Sequence, residues 1–269
     1  MVGEKMSEPR TLRIDIWSDV MCPWCLVGWG SLQKGLEQLD GEIEADIRWH
    51  AFELNPDMAP EGEERTVHIA RKYGTTTEQS KAVQGRMREA ADNAGVSLDY
   101  EGGEPEPTGM MWNTFAAHKL LTWAGEEHGP VRQTALKLAL FRAHFNQRRA
   151  LGDEAVLLDI AEEEGFERDA AAAALASEEW GRKVRAEQQA AWDLNITGVP
   201  AMIVENKFMI PGAQPPEAYA DALVRLMQNP TARADIGAAN KRRAKSFFSL
   251  ARMAAAHRTL YLAVMERHG

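Results

Sequence analysis

The sequence predicts a mixed α/β domain with helices inserted into a small sheet. Three observations carry this: a strand–helix–strand opening, a long helical block, and a strand–strand–helix close. Thr11–Trp17 alternates Leu12, Ile14 and Ile16 with polar neighbours and reads as a strand. Ser18–Met21 breaks the alternation, and a helix starts near Cys22 and runs to Leu39, with Gly41 past its end. Ile43–Phe52 alternates again. A strand, a helix and a strand this close together make a right-handed parallel βαβ unit.

From about Pro56 to Leu194 helix signals dominate. Glu63–Asn93 lacks strand alternation, and Glu101–Gly109, with its Gly and Pro residues, is a loop. Trp112–Ala124, Gly129–Phe145, Asp153–Glu164 and Asp169–Leu194 read as four further helices, with Asp153 and Asp169 as N-caps. The alanine run 170–174 is helix propensity. Ala201–Val204 and Phe208–Ile210 then flank a short turn as a hairpin, and Pro215–Met227 closes the domain as a helix. Neither end builds a stable sheet alone, so the two are expected to join into one.

Composition bounds the function. The chain has 269 residues, 45% hydrophobic and 26% charged, enough for a real core. No run nears the roughly 18 apolar residues of a membrane span, and Met1–Arg10 lacks the apolar stretch of a secretory signal. The expected compartment is the cytoplasm. The net charge is −9, yet the segment from Asn229 onward is basic, so the negative excess belongs to the body. Such a body repels nucleic-acid phosphate and anionic membranes, and neither is expected as a partner.

The only two cysteines, Cys22 and Cys25, stand at the strand-to-helix junction in Cys22-Pro23-Trp24-Cys25. The unpaired N–H groups of a first helical turn and the helix dipole stabilise a thiolate there, lowering its pKa from about 8.5. Residues three apart share a helix face at about 5–6 Å between Cβ atoms, so closing a disulfide needs only a small adjustment. Cys22 is expected as the exposed attacking thiolate and Cys25 as the buried resolving thiol. Pro23 suits the first helical position, where a missing N–H costs nothing. Half of a zinc site is the competing reading, but zinc wants four ligands and neither a second Cys pair nor a tight His pair exists. Two ordinary core cysteines are the other. Asp15 and Asp19 are near enough in sequence to relay the proton of Cys25. A buried unpaired Asp15 is the costlier arrangement and so the better functional candidate, whereas Asp19 reads as a solvated loop carboxylate.

The second motif is Thr197-Gly198-Val199-Pro200, just before the returning strand. A CxxC after the first strand, a helical insertion, and Gly-Val-Pro entering a hairpin resemble the thioredoxin-like fold of the DsbA family. Ile14 to Cys25, Gly198-Val-Pro-Ala201 and Pro211-Gly-Ala-Gln214 are similar to its FrnE-like branch. The resemblance implies a domain over 11–228 with an insertion at about 56–194 and a cis Pro200 packed against the cysteines. It also implies a Val199 backbone that pairs with an incoming peptide and a Trp24 at the rim of the groove. The activity implied is dithiol–disulfide exchange on a protein or small-thiol substrate, with no bound cofactor and glutathione as a co-substrate.

Relatives of this fold include glutathione-dependent isomerases of hydroxychromene carboxylates and kappa-class glutathione transferases, which carry Ser where Cys22 stands. Cys25 therefore discriminates, because those enzymes need no resolving thiol. An isomerase, transferase or polyketide-tailoring activity is the alternative, and a binding module with a relic Cys pair is a third. Asn113, opening a helix in the insertion, is a candidate ligand contact or a cap.

Residues 229–269 are expected to form a basic helical extension. Leu250, Met253, His257 and Val264 make an amphipathic stripe that suggests a homodimer contact. The wording of this segment is similar to the C-terminal helices of many retaining glycosyltransferases. The chain has no room for the two nucleotide-binding domains of that family, which excludes glycosyl transfer.

Overall fold

The structure is a computed structural model describing residues 9–39, 41–74 and 77–228. It opens with β1 (Arg10–Ser18), α1 (Pro23–Glu37) and β2 (Ile43–Ala51), and β1 and β2 pair in parallel. It closes with β5 (Ala201–Val204), β6 (Phe208–Pro211) and α9 (Pro216–Gln228). The four strands form one sheet in the order β2-β1-β5-β6, with β5 antiparallel to both its neighbours. The two ends of the sequence thus complete each other, as expected. The register pairs Trp17 with Ala201. That pairing sets Pro200 beside the end of β1, where the chain turns toward Cys22.

Between β2 and β5 lie α2 (Arg65–Tyr73), α3 (Thr77–Ala94), α4 (Phe115–His128), α5 (Pro130–Phe145), α6 (Glu154–Glu163), α7 (Arg168–Ala176) and α8 (Glu178–Asp193). The expected helix over 63–93 is two helices, because Gly74 adopts a left-handed φ of 59° and ends the first. The expected helix over 169–194 is also two. Ser177, in extended conformation, caps α8 by accepting a hydrogen bond from Glu179 N. Asp153 caps α6 as expected, but Asp169 lies inside the first turn of α7 and Glu167 takes the cap position. A two-residue pairing of β3 (Glu63–Glu64) with β4 (Met110–Met111) had no signature in the alternation.

One large core cluster lies in the insertion, where Leu120, Leu136, Leu140, Leu157 and Ile160 are almost fully buried. Val20 and Met21 join it from the turn after β1. The sequence just before Cys22 is therefore anchored in the helical core, which fixes the start of α1.

The insertion also closes the sheet's open edge. Gln133 of α5 accepts from Trp49 N at 3.0 Å and donates to Trp49 O at 2.9 Å, while Glu187 of α8 accepts from Ala51 N at 2.7 Å. Side chains thereby satisfy an edge that would otherwise invite another strand.

The chain divides into two compact units, Met1–Asp221 and Ala222–Gly269. Of the second, only the end of α9 is described. The basic extension, with its expected helix and dimer contact, lies outside the described residues. Among the described residues no helix is long and apolar enough to cross a membrane.

Candidate active site at the start of helix α1

Pro23 takes the first position of α1, and Cys22 is its N-cap with extended backbone. Cys22 N donates to Asp19 O at 3.1 Å and Cys25 N to Cys22 O at 3.0 Å, so the turn is hydrogen-bonded on both sides of Cys22. The Cys22 sulfur lies 3.6 Å from Val199 O. The Val199–Pro200 peptide is cis. Pro200 reaches the site because α1 carries Gly28, where a Cβ would stand 3.0 Å from Pro200 Cγ. The motifs at 22–25 and 197–200, some 170 residues apart, are in contact.

Cys22 is not exposed as expected: it is 4% accessible and Cys25 1%. Val199 covers it, and it opens only onto a cavity of about 610 Å³ that Pro23, Trp24 and Val199 also line. Trp24, at 36% accessible, forms the rim. Cys25 is one turn deeper and does not line the cavity.

The thiols share a hydrogen bond and titrate as a pair. Burial pushes the Cys25 thiol up, but the bond from Cys22, the Lys137 charge and Ser18 outweigh it, and its pKa falls below the ordinary value. Cys22, which donates to that sulfur and is itself buried, is held well above. The low-pKa thiolate expected on Cys22 therefore rests on Cys25. The bond from Cys22 is the largest of the effects that lower Cys25, and the charge of a buried cation, Lys137, is the next.

That cation was missed in the sequence. Lys137 of α5 is 1% accessible, with its Nζ 4.9 Å from the centre of the Phe141 ring and 5.4 Å from that of Trp49. Burial lowers its pKa to about 8, against the opposing attraction of Cys25, Asp19 and Cys22. Its signal was positional: Gln133, Leu136, Lys137, Leu140 and Phe141 form the buried face of α5, so a lysine sits in an apolar stripe.

The two aspartates exchange their expected roles. Asp15 forms ion pairs with Arg13 at 2.7 Å and with His50 Nε2 at 2.6 Å. Burial raises its pKa, but His50 and Arg13 outweigh that and hold it below the ordinary carboxylate value. It is spent in a structural cluster. The groups acting on the thiols are instead Asp19, Ser18 and Lys137. Asp19, expected in solvent, is 1% accessible. It accepts from Leu54 N at 2.7 Å and Met21 N at 3.2 Å, and His118 Nε2 lies 3.8 Å away. Burial pushes this carboxyl up, and His118 with the two N–H groups brings it below the ordinary value.

Asn113 does not reach the cavity. It donates to Pro56 O and Met58 O, each at 3.3 Å, and accepts from Phe115 N at 3.0 Å, so it ties the start of α4 to the loop after β2. Among the described residues no group of three His, Cys, Asp or Glu side chains is placed to hold a metal ion.

Known proteins are similar to this chain in sequence and fold. The probable DsbA oxidoreductase SCO1869 from Streptomyces coelicolor is 30% identical, with a TM-score of 0.70 over 81% of this chain and 91% of that one. The uncharacterized protein YwbO of Bacillus subtilis (strain 168) is 25% identical over 79% of this chain and 96% of its own length. The cytosolic disulfide reductase DsbM from Pseudomonas aeruginosa, at 17% identity, shares the fold with a TM-score of 0.53, covering 81% of this chain and 99% of that one. A family model matches residues 13–224, strand β1 to the closing helix, and the chain belongs to the DSBA-like thioredoxin domain family.

Proposed function

We propose that the chain is a thiol–disulfide oxidoreductase working through the Cys22–Cys25 couple on protein or small-thiol substrates, in the cytoplasm and in the reducing direction. The observation that carries this is the order of the two sulfurs. Cys22 opens on the cavity with its sulfur 3.6 Å from Val199 O, while Cys25 lies behind it in hydrogen-bond contact.

Because the pair shares a proton, its transfer to Cys25 leaves Cys22 as the thiolate nucleophile. That thiolate attacks a substrate disulfide, forming the Cys22–substrate bond and expelling one substrate thiolate. The Cys25 sulfur, losing its proton, then attacks Cys22; the internal disulfide forms and the second substrate thiolate leaves. Two electrons pass to the substrate. Two molecules of glutathione restore the dithiol and become one glutathione disulfide, a role supported by the DsbM fold having also been seen with GSH.

Asp19, held ionised, is a weak proton acceptor and acts as a fixed charge. The Lys137 cation favours the Cys25 thiolate, and the Cys25 proton leaves on the second substrate thiol as the internal disulfide forms. Asp15 has no part in the step. Trp24 and the backbone of Val199 orient the substrate at the rim.

The test is an equilibrium titration in glutathione buffers, with acid trapping, alkylation and mass readout of both cysteines. A pair that opens and closes with one potential in the range of about −270 to −120 mV supports exchange. A stable glutathione adduct on Cys22, or thiols that never cycle, overturns it, and the adduct would favour the glutathione-dependent isomerase or transferase reading.

A further inference from the structure

The cavity in front of Cys22 contains a buried polar side chain that no protein group satisfies. His144 stands at the end of α5, on the buried face of that helix, and is 7% accessible. It lines the cavity together with Cys22. Among the described residues its ring makes no hydrogen bond and no ion pair, and it meets the edge of the Phe145 ring at 4.5 Å. Glu53 and His118 also keep an unpartnered polar atom, but theirs are sealed inside the protein. The ring nitrogens of His144 are not sealed and open on the cavity.

Other polar groups of the cavity are engaged. His68 Nδ1 lies 2.7 Å from Glu63, and Arg88 and Arg148 pair with Asp99 and Glu106. Burial, with the charges of Arg148 and Arg65, lowers the His144 pKa to about 3 against the opposing charge of Asp19. Near neutral pH the ring is therefore uncharged, with one donor and one acceptor nitrogen. A buried donor or acceptor without a partner is costly, and the cost is relieved when a ligand supplies one.

The matching chemistry is an uncharged group that both donates and accepts. In a peptide, the groups of that kind nearest to a cystine sulfur are the two amides of its own residue, a few bonds away. Free cystine carries an ammonium there, which meets Arg148 and Arg65 with like charge. The apolar part of the wall, including Leu54, Met87 and Phe145, offers an amide nothing. We propose that His144 sets the specificity of the exchange reaction: its ring hydrogen-bonds an amide of the half-cystine that Cys22 attacks, so disulfides in peptide linkage are the preferred substrates. This rests on the exchange activity proposed above and adds a selecting side chain from α5, an element that carries neither cysteine nor Val199.

The test mixes the reduced full chain with one of two uncharged disulfides. The bis(methylamide) of N,N′-diacetylcystine carries amides, and diethyl disulfide carries no polar group. With either probe the dithiol is oxidised to the Cys22–Cys25 disulfide and the probe is reduced to two thiols. Second-order rate constants are read by acid quench, alkylation and intact mass. The ratio of the two rates is the readout, because damage to the fold or to the thiols slows both probes alike. His144→Leu should lower that ratio about ten-fold, the worth of one hydrogen bond. His144→Asn and His144→Gln place an amide near Nδ1 and Nε2 respectively, and one of the two should bring the ratio back to within about three-fold of the parent chain. A ratio unmoved by His144→Leu, or one that neither amide variant recovers, overturns the proposal and leaves the exchange activity standing. If neither probe oxidises the parent dithiol, the exchange activity itself falls and the proposal falls with it.

Discussion

Cys22 and Cys25 differ by one helical turn and by what surrounds them. Cys22 faces the cavity and a backbone carbonyl, while Cys25 faces Ser18, the Asp19 backbone and the Lys137 charge. Two predictions belong to this scale. Cys25→Ser should leave Cys22 able to attack but unable to release its substrate, so a mixed disulfide should accumulate and be visible by intact mass. Cys22→Ser should yield none. Lys137→Met removes the cation that favours the shared thiolate. The pH midpoint of the pair's reaction with iodoacetamide should move up by about one unit, an approximately ten-fold slower reaction near neutrality. The same profile in Asp19→Asn should move the opposite way, because that carboxylate disfavours the Cys22 thiolate. Shifts of the same sign in both variants would mean that packing, not charge, is being read. Lys137 also shows a limit of reading sequence: its place on the buried face of α5 was visible in the spacing, but nothing local said which buried group it would meet.

At the scale of elements, the site depends on α1 lying close to the loop before β5. Gly28 permits that approach. Gly28→Val should push Pro200 away from the cysteine turn and lower exchange activity more than it lowers stability, which parallel measurement of turnover and thermal midpoint would show. Helix boundaries give a quieter prediction. Ser177 caps α8 through Glu179 N, so Ser177→Ala should cost about 1 kcal/mol in urea unfolding with the site chemistry unchanged. The elements were well marked in the sequence wherever alternation or amphipathic spacing ran for a whole strand or helix, as in β1, β2, α4 and α5. The breaks at Gly74 and Ser177 were harder. Each interrupts an otherwise helical composition with a single residue, and a lone Gly or Ser within helix-forming neighbours is tolerated as often as it terminates.

Beyond single elements, β1, β2 and α8 are joined by a charge cluster. Asp15 of β1, His50 of β2, Arg13 and Glu187 of α8 interlock, with Trp17 stacked on the His50 ring at 4.5 Å. Burial alone would lower the His50 pKa, but Asp15 and Glu187 raise it to about 9. A folded pKa above the unfolded value of about 6.5 means a contribution fully present below pH 6.5 and lost as pH rises through 9. His50→Gln should therefore cost about 2 kcal/mol near pH 6 by denaturant unfolding. The difference from the parent chain should shrink toward zero above pH 9. A difference that stays constant across that window would show that His50 contributes by packing alone.

By itself the sequence determined the βαβ opening, the ββα close and the helical block between them, because period-2 and helical spacing follow from backbone geometry. It also determined the Cys22–Cys25 junction, since a proline after a cysteine at the end of a strand starts a helix there. Tertiary structure alone decided which groups govern that junction. Asp15 became a structural ion pair because the pairing of β1 with β2 sets it beside His50 and Arg13, and Asp19 a neighbour of the thiols because it lies past the end of β1, in the turn that leads to Cys22. Lys137 and His118 come from helices of the insertion, 115 and 96 residues beyond Cys22 in the chain. Electrostatics acts through space and burial, and both are fixed only when distant segments close on each other.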